Sequence, residues 1–177
     1  MFHLYLKFIR DFVEEYIRND VGTIAPVSFV DFLEPNFKSI DRNIIGLSLN
    51  KIKNEYISIS GSEYIYKDPI SFTERKKPAS FSLYILFLSF FSGDRFLEGL
   101  QYLSSIAKCF LTYNFFSAQN NDIIQKLGIG DFNISQVDDI DTYKNNANYP
   151  PSLLYRIWLV HIHPEESKKT IAAITKI

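Results

Sequence analysis

KPASFSLYILFLSFFSGDRFLEGLQYLSSIAKCFLTYNFF, residues Lys77–Phe116, decides how the rest of the chain is arranged. Between Phe81 and Phe91 both alternating sets are apolar: Phe81, Leu83, Ile85, Phe87 and Phe91 on one side, Tyr84, Leu86, Leu88 and Phe90 on the other. A strand apolar on both faces has to be covered on both, so it belongs in the middle of a sheet. Ile85 is the one β-branched residue in the run, which keeps a buried helical turn as the competing reading. Ser92-Gly93-Asp94 interrupts the run, and Asp94 is suited to cap a following helix. Leu97, Leu100, Leu103, Ile106, Ala107 and Phe110 then recur at helical spacing, with Glu98, Gln101, Ser105 and Lys108 on the other side. The stretch reads as the core of the fold and carries no catalytic pattern.

Upstream, Phe2, Tyr5, Leu6, Ile9, Phe12, Val13, Tyr16 and Ile17 predict a helix from Phe2 to Arg18, ended by Asn19-Asp20-Val21-Gly22. Pro26–Val30 suits a short edge strand and Glu34–Arg42 a loop. Asn43–Ile52 alternates, Ile45, Leu47 and Leu49 against Gly46, Ser48 and Asn50, as a half-exposed strand does. Ile57–Tyr66 fits an irregular connection or a hairpin arm, Asp68-Pro69 breaks the chain, and Glu74–Pro78 reads as a charged hinge.

Downstream, Ala118–Asp122 is a polar turn, and Ile123–Leu127 a short helix stopped by Gly128 and Gly130. Phe132–Ile134 suits a short strand, and Ser135–Lys144 a helical turn or two capped by Ser135. Ser152–His163 is a second strong strand, with Leu153, Tyr155, Ile157 and Leu159 facing one way and Leu154, Trp158, Val160 and Ile162 the other. The predicted class is α+β: a mixed sheet with an N-terminal helix and one long central helix packed on it. Residues 1–163 are expected to form one domain and residues 164–177 a C-terminal helix or tail.

The totals narrow the function. A length of 177 residues fits a single domain with a substantial core, and 46% apolar content with 16 Phe and 11 Tyr argues against disorder. A formal charge of −1 gives no global reason to bind nucleic acid or an anionic membrane. Cys109, the single cysteine, leaves no internal disulfide. Met1–Phe12 carries Lys7, Arg10 and Asp11 at helical intervals, unlike a secretion signal, and Ala79–Ser92 falls short of the roughly 20 apolar residues that span a bilayer. Synthesis in the cytoplasm and no direct membrane insertion are the expectation. The excess of aromatics points to surfaces buried by partners.

Chemistry-bearing patterns are sparse. His161-x-His163 would share a strand face, yet no third ligand at metal spacing accompanies the pair. Cys109 beside Phe110 reads as a small buried residue; a nucleophile would need a histidine brought to it. Asp138, Asp139 and Asp141 suit a solvated helix start, and Gly128-x-Gly130 lacks the remaining glycine and lysine of a phosphate loop. No enzyme, cofactor or metal is expected. A small enzyme or ligand-binding domain using Cys109 or His161 and His163 remains the competing class.

The order of elements resembles the tail-terminator (cap) family of phage-tail-like extracellular contractile injection systems of the Pvc/antifeeding-prophage type. In Lys77–Phe116 the resemblance is carried by Pro78, Leu83-Tyr84, Phe87, Phe90, Leu100, Leu103 and Phe110. In Ile123–Ile162 it is carried by the Phe132-Asn133-Ile134-Ser135 step and by Tyr149-Pro150-Pro151-Ser152-Leu153-Leu154-Tyr155-Arg156, its most specific string. The chain departs from that family at Phe110-Leu111-Thr112, where an aromatic-Gln pair is usual, and at Thr142-Tyr143-Lys144-Asn145, where a Trp-Gly step is usual.

The resemblance implies a hexameric ring on the last disc of an inner tube, ending tube growth and anchoring the sheath. The implied partners are further copies of this chain, the tube protein and the sheath protein. The particle would be assembled in the cytoplasm and then released or docked at a membrane. A baseplate or sheath adaptor of the same machine is the alternative. Asn43, Gly46, Ser48, Asn50, Tyr64 and Tyr66 are the expected subunit and tube contacts, because a strand with unpaired groups invites pairing. Arg75, Lys76, Lys77, Lys168 and Lys169 are the expected sheath contacts.

Overall fold

The computed structural model describes residues 1–23, 25–31, 43–55, 62–68, 71–76, 79–138, 150–162 and 170–172. In chain order the elements are α1 (Phe2–Val21), β1 (Val27–Phe29), β2 (Ile45–Glu55), β3 (Ser62–Asp68), β4 (Ser71–Lys76) and β5 (Ala79–Ser89). They continue with a 3₁₀ turn (Gly93–Arg95), α2 (Phe96–Thr112), β6 (Phe115–Phe116), α3 (Asp122–Leu127), β7 (Phe132–Gln136), β8 (Ser152–Ile162) and β9 (Thr170–Ala172). One sheet runs β1-β2-β5-β8-β7-β6 and a second β3-β4-β9. β1 joins β2 in parallel and the other ladders are antiparallel, so the large sheet is mixed.

β5 is central, as its two apolar faces require. Leu83, Ile85, Phe87 and Phe91 face the main core with α1 and α2; Leu86 and Leu88 join Leu154 in a smaller cluster on the opposite face. That second face is covered by Val30, Tyr84, Phe90 and Val137. Fully burying a side chain such as Ile85 or Phe87 contributes about 1.5–3 kcal/mol, so this one strand anchors both layers.

α1 buries Tyr5, Phe8, Ile9, Val13 and Ile17, and ends where Gly22 turns left-handed at φ 77° and returns its N–H to Arg18 O at 3.1 Å. Glu14 accepts the Val27 N–H at 2.8 Å, tying the edge strand to this helix. Many of the aromatics that suggested partner-covered surface are spent inside. Phe8 meets Phe116 and Phe132 edge-on at 5.4 and 5.9 Å, Phe12 meets Phe116 at 5.1 Å, and Phe116 stacks on Phe132 at 4.9 Å.

The setting of α2 differs from its periodicity. Its buried face is Gly99, Tyr102, Leu103, Ser105, Ile106, Cys109 and Phe110, while Leu97 is 75% exposed. The expected inward Leu97 and outward Ser105 are therefore exchanged. Gly99 is the reason: a Cβ there would run into the Ser89 hydroxyl and lie 2.6 Å from Phe91 Cβ, so only glycine lets the helix approach the end of β5 this closely. Tyr102 fixes the same rotation, its hydroxyl donating to Glu98 Oε1 at 2.7 Å and lying 3.1 Å from Thr23 Oγ1. Asp94 does not cap α2, because it lies inside the 3₁₀ turn and Arg95 takes the capping position.

Bulges reset the strand faces. Phe81 pairs with Val160 but Leu83 with Ile157, so β8 carries one residue more than β5 there, and Val160 turns to the core side with Ile157. A second irregularity, between Leu49 and Lys51, leaves Asn50 out of register. Gly46 and Ser48 are buried, so the half-exposed face expected for this strand is covered: a Cβ on Gly46 would lie 2.5 Å from Phe90 Cε2 and 2.8 Å from Val30 Cγ2.

Three further expectations change. Glu74–Lys76 is strand, not hinge, because β4 is paired on both sides, by β3 and by β9. Ser135 caps no helix; it pairs with Arg156 in β7–β8. Thr170–Ala172, expected in a helix or tail, pairs with β4. The loop Glu34–Arg42 lies outside the described residues.

Candidate functional site

Helices cover one face of the large sheet, so what the chain can offer a partner lies on the other face and along the sheet's edges. Beyond the small Leu86–Leu88–Leu154 cluster, the helix-free face becomes aromatic and charged. Phe115 pairs with Asn133, and Asn133 with Trp158, making a row across β6, β7 and β8. Trp158 is 41% exposed and Phe115 54%. Their exposure is a consequence of position: Phe116, the next residue, fills the core, so Phe115 must point outward.

Arg156 organises this face. Its Nε donates to Ser82 Oγ at 3.0 Å and its Nη2 to Glu55 Oε1 at 2.9 Å, joining β8, β5 and β2 through one side chain. The guanidinium lies 5.7 Å over Trp158 and 6.0 Å from the Tyr84 ring. The Ser82 hydroxyl chiefly, with the Arg156 and Lys53 charges, holds the Glu55 carboxyl below its ordinary range, against a smaller opposing effect of burial. The clamp fixes a flat polar and aromatic surface and holds no cavity.

The two sheet edges are also open. At one, β2 extends well beyond β1, which pairs only with Ile45–Leu47. Phe29, Leu49 and Ile52 are exposed there, with Arg10 stacked 5.2 Å over Phe29. At the other, Leu111, Tyr113 and Phe115 are exposed around β6. Tyr113 packs edge-on against Phe12 at 5.6 Å and Tyr16 at 6.1 Å.

Among the residues expected to make contacts, Asn43 enters β2 at φ 68° and donates its N–H to Phe90 O at 3.0 Å. Gly46 and Ser48 sit beneath Phe90 and Val30 or close by, buried within the chain itself, and Asn50 stands at the bulge. Tyr64 and Tyr66 lie on β3, Arg75 and Lys76 on β4, with Tyr64 opposite Glu74 and Glu63 opposite Arg75. The expected tube and sheath contacts thus meet in one hairpin, inserted between the paired strands β2 and β5. Lys77, Lys168 and Lys169 lie outside the described residues. The Arg156 clamp and the exposed Leu111, Phe115 and Trp158 were not foreseen, although Arg156 closes the string that carries the family resemblance.

The chemical candidates separate from this surface. Cys109 is fully buried on α2, and burial pushes its thiol up to about 12, so it stays protonated and unreactive at neutral pH. His161 lies on β8 opposite Ser80, and His163 is outside the described residues. Among the described residues no three His, Cys, Asp or Glu side chains gather where a metal could sit. None of their helices is long and apolar enough to cross a membrane.

A family model described as the Pvc16 N-terminal domain matches residues 6–176. The chain belongs to that family. Its fold is shared by a solved structure, the cryo-EM structure of the sheath/tube terminator of an extracellular contractile injection system, PVC, in its extended state. The TM-score is 0.63 at 12% identity, over 100% of this chain and 62% of the other. This Pvc16 N-terminal domain member therefore spans less than two thirds of that terminator's length, and its α+β architecture is that of a tail terminator. Among curated proteins none matches it in sequence.

Proposed function

We propose that this chain is the terminator of a contractile injection system: a hexameric ring that seats on the last disc of the inner tube, stops its growth and holds the distal end of the sheath. The observation that carries this reading is the correspondence of the whole chain to the fold of a sheath/tube terminator, joined to membership of the Pvc16 N-terminal domain family over residues 6–176. The surface agrees with it. A protein that works by permanent contact needs flat, aromatic, rigid faces and sheet edges open to pairing, and these are what the described residues present. The role is structural; Cys109, the residue best suited to a nucleophile, is buried and protonated.

In this reading residues 1–163 act as one terminator domain and 164–177 as its C-terminal extension. The ring is built in the cytoplasm on a growing particle, which is then released or docked at a membrane. Asn43, Asn50, Tyr64 and Tyr66 serve tube or subunit contacts, with Gly46 and Ser48 supporting them from beneath. Arg75, Lys76, Lys77, Lys168 and Lys169 serve the sheath. Particles from cells lacking the chain test the role by electron microscopy. Tubes of irregular, extended length, or sheaths detached at the distal end, are expected; particles of normal length with attached sheaths would refute it.

A further inference from the structure

A closed ring of identical subunits needs two different surfaces on each subunit, one complementary to the other, because each copy meets its neighbours head to tail. The large sheet carries two such surfaces at its opposite edges. Five inter-strand spacings of about 4.8 Å put β1 and β6 roughly 24 Å apart, on opposite sides of the subunit.

At the first edge, Leu49–Glu55 has no strand on its outer side among the described residues, since β1 pairs only with Ile45–Leu47. Leu49 and Ile52 are 36% and 43% exposed there, and Lys51 and Lys53 stand out beside them. At the second edge, Ile134 donates its N–H to Asn114 O at 2.9 Å, and Phe115 pairs with Asn133. Antiparallel alternation then turns the Phe115 N–H and C=O away from the sheet. Leu111 is 80% exposed and Phe115 54%. Asp122 and Asp131 are exposed in the loop segment that follows, against one cation, Lys126. One edge is thus apolar with exposed lysines, the other apolar with exposed aspartates, and each leaves backbone pairing capacity facing outward.

We infer that the β6 edge of one copy docks on the open Leu49–Glu55 stretch of the next, so that the large sheets join edge to edge around the ring. The inference rests on the ring reading above and names its subunit contact. Leu111 and Phe115 of one copy cover Leu49 and Ile52 of the neighbour, and Asp122 and Asp131 approach Lys51 and Lys53. Backbone pairing supplies direction, and the apolar residues supply adhesion.

The test is site-directed cross-linking in assembled particles, using Leu49→Cys and Phe115→Cys singly and together, with a short bis-maleimide. The buried, protonated Cys109 gives a low background. The double variant should yield a ladder of cross-linked products extending to the full ring, and neither single variant should yield one. Normal melting temperatures of the variants show that they fold. Particles that contain the double variant but give no ladder would overturn the edge contact, as would cross-linking of either single variant to a tube or sheath subunit in its place. Normal tube length in cells lacking the chain would overturn the ring reading, and this inference with it. Length control that depends on the chain, with no ladder, would leave the ring standing and remove only the edge contact.

Discussion

Replacing Gly99 by alanine sets helix propensity against packing. In an exposed helix interior this change favours folding by about 1 kcal/mol, because glycine is the poorer helix former. At Gly99 the new Cβ would overlap the Ser89 hydroxyl and lie 2.6 Å from Phe91 Cβ and 3.0 Å from Phe91 Cγ. The partners cannot swing aside as a loose tip would. Ser89 N–H is bound to Pro151 O at 2.9 Å, and Phe90 N–H to Ile44 O at 3.0 Å. Overpacking against fixed backbone costs about 1–3 kcal/mol, and contacts this short belong at the upper end. Subtracting the propensity gain leaves about 2 kcal/mol of destabilisation, or roughly 4–8 °C in Tm for a chain of this size. Urea and thermal unfolding followed by circular dichroism measure it, with an unchanged urea m-value showing that the unfolded state is the same. Ser89→Ala removes one colliding atom, so the double variant should recover part of the loss, with a coupling of about 0.5–2 kcal/mol. A Gly99→Ala protein as stable as the parent, or more stable, would refute the close-contact account of how α2 is set.

The remaining predictions follow the same geometry. Ile106→Ala, in the core, should cost about 2–5 kcal/mol, whereas Leu97→Gln or Leu111→Gln, at 75% and 80% exposure, should change stability by no more than about 0.5 kcal/mol; the same unfolding curves separate them. Ser105 is buried with no hydrogen-bond partner for its hydroxyl, so Ser105→Ala should stabilise by about 1 kcal/mol, seen as a higher urea midpoint. Glu98 accepts from Arg95 and Tyr102, and the Arg95 hydrogen bond chiefly holds its carboxyl down to about 2 from 4.5. A depressed folded-state value means its contribution is complete above the unfolded pKa and is lost as pH falls from about 4.5 to about 2. Glu98→Gln should therefore flatten the stability profile across that acid window, and an unchanged slope would contradict the assignment. Cys109 should react with an aromatic disulfide reagent at pH 8 only as the chain unfolds; fast labelling of the native protein would show that the site is open.

The fold was most legible where apolar periodicity and required burial coincide. The two faces of Phe81–Phe91 separate into the two observed clusters, and the first helix ends where Gly22 supplies a left-handed cap. Legibility failed where one residue resets the geometry. Periodicity sees that α2 is amphipathic but not which way it is turned; Gly99 and Tyr102 decide that through contacts with Ser89, Phe91 and Thr23. Alternation holds along a strand only up to a bulge, and so misplaced Val160 and the outward set on β2. The charged run Glu74–Lys76 looked like a hinge because charge says nothing about pairing from both sides. The interaction surface was the least readable part. Phe115 and Phe116 are identical in type and adjacent, yet one closes the core and the other faces outward, a distinction that depends on which face of β6 the helices occupy.

The most direct test of the account is a cryo-EM reconstruction of the distal tip of intact particles carrying this chain. The account predicts density for the α1–α2–sheet unit repeated six-fold on the last tube disc, at the end away from the baseplate, with the sheath in contact. The same unit found at the baseplate, or a tube tip capped by density that this fold does not fit, would contradict it.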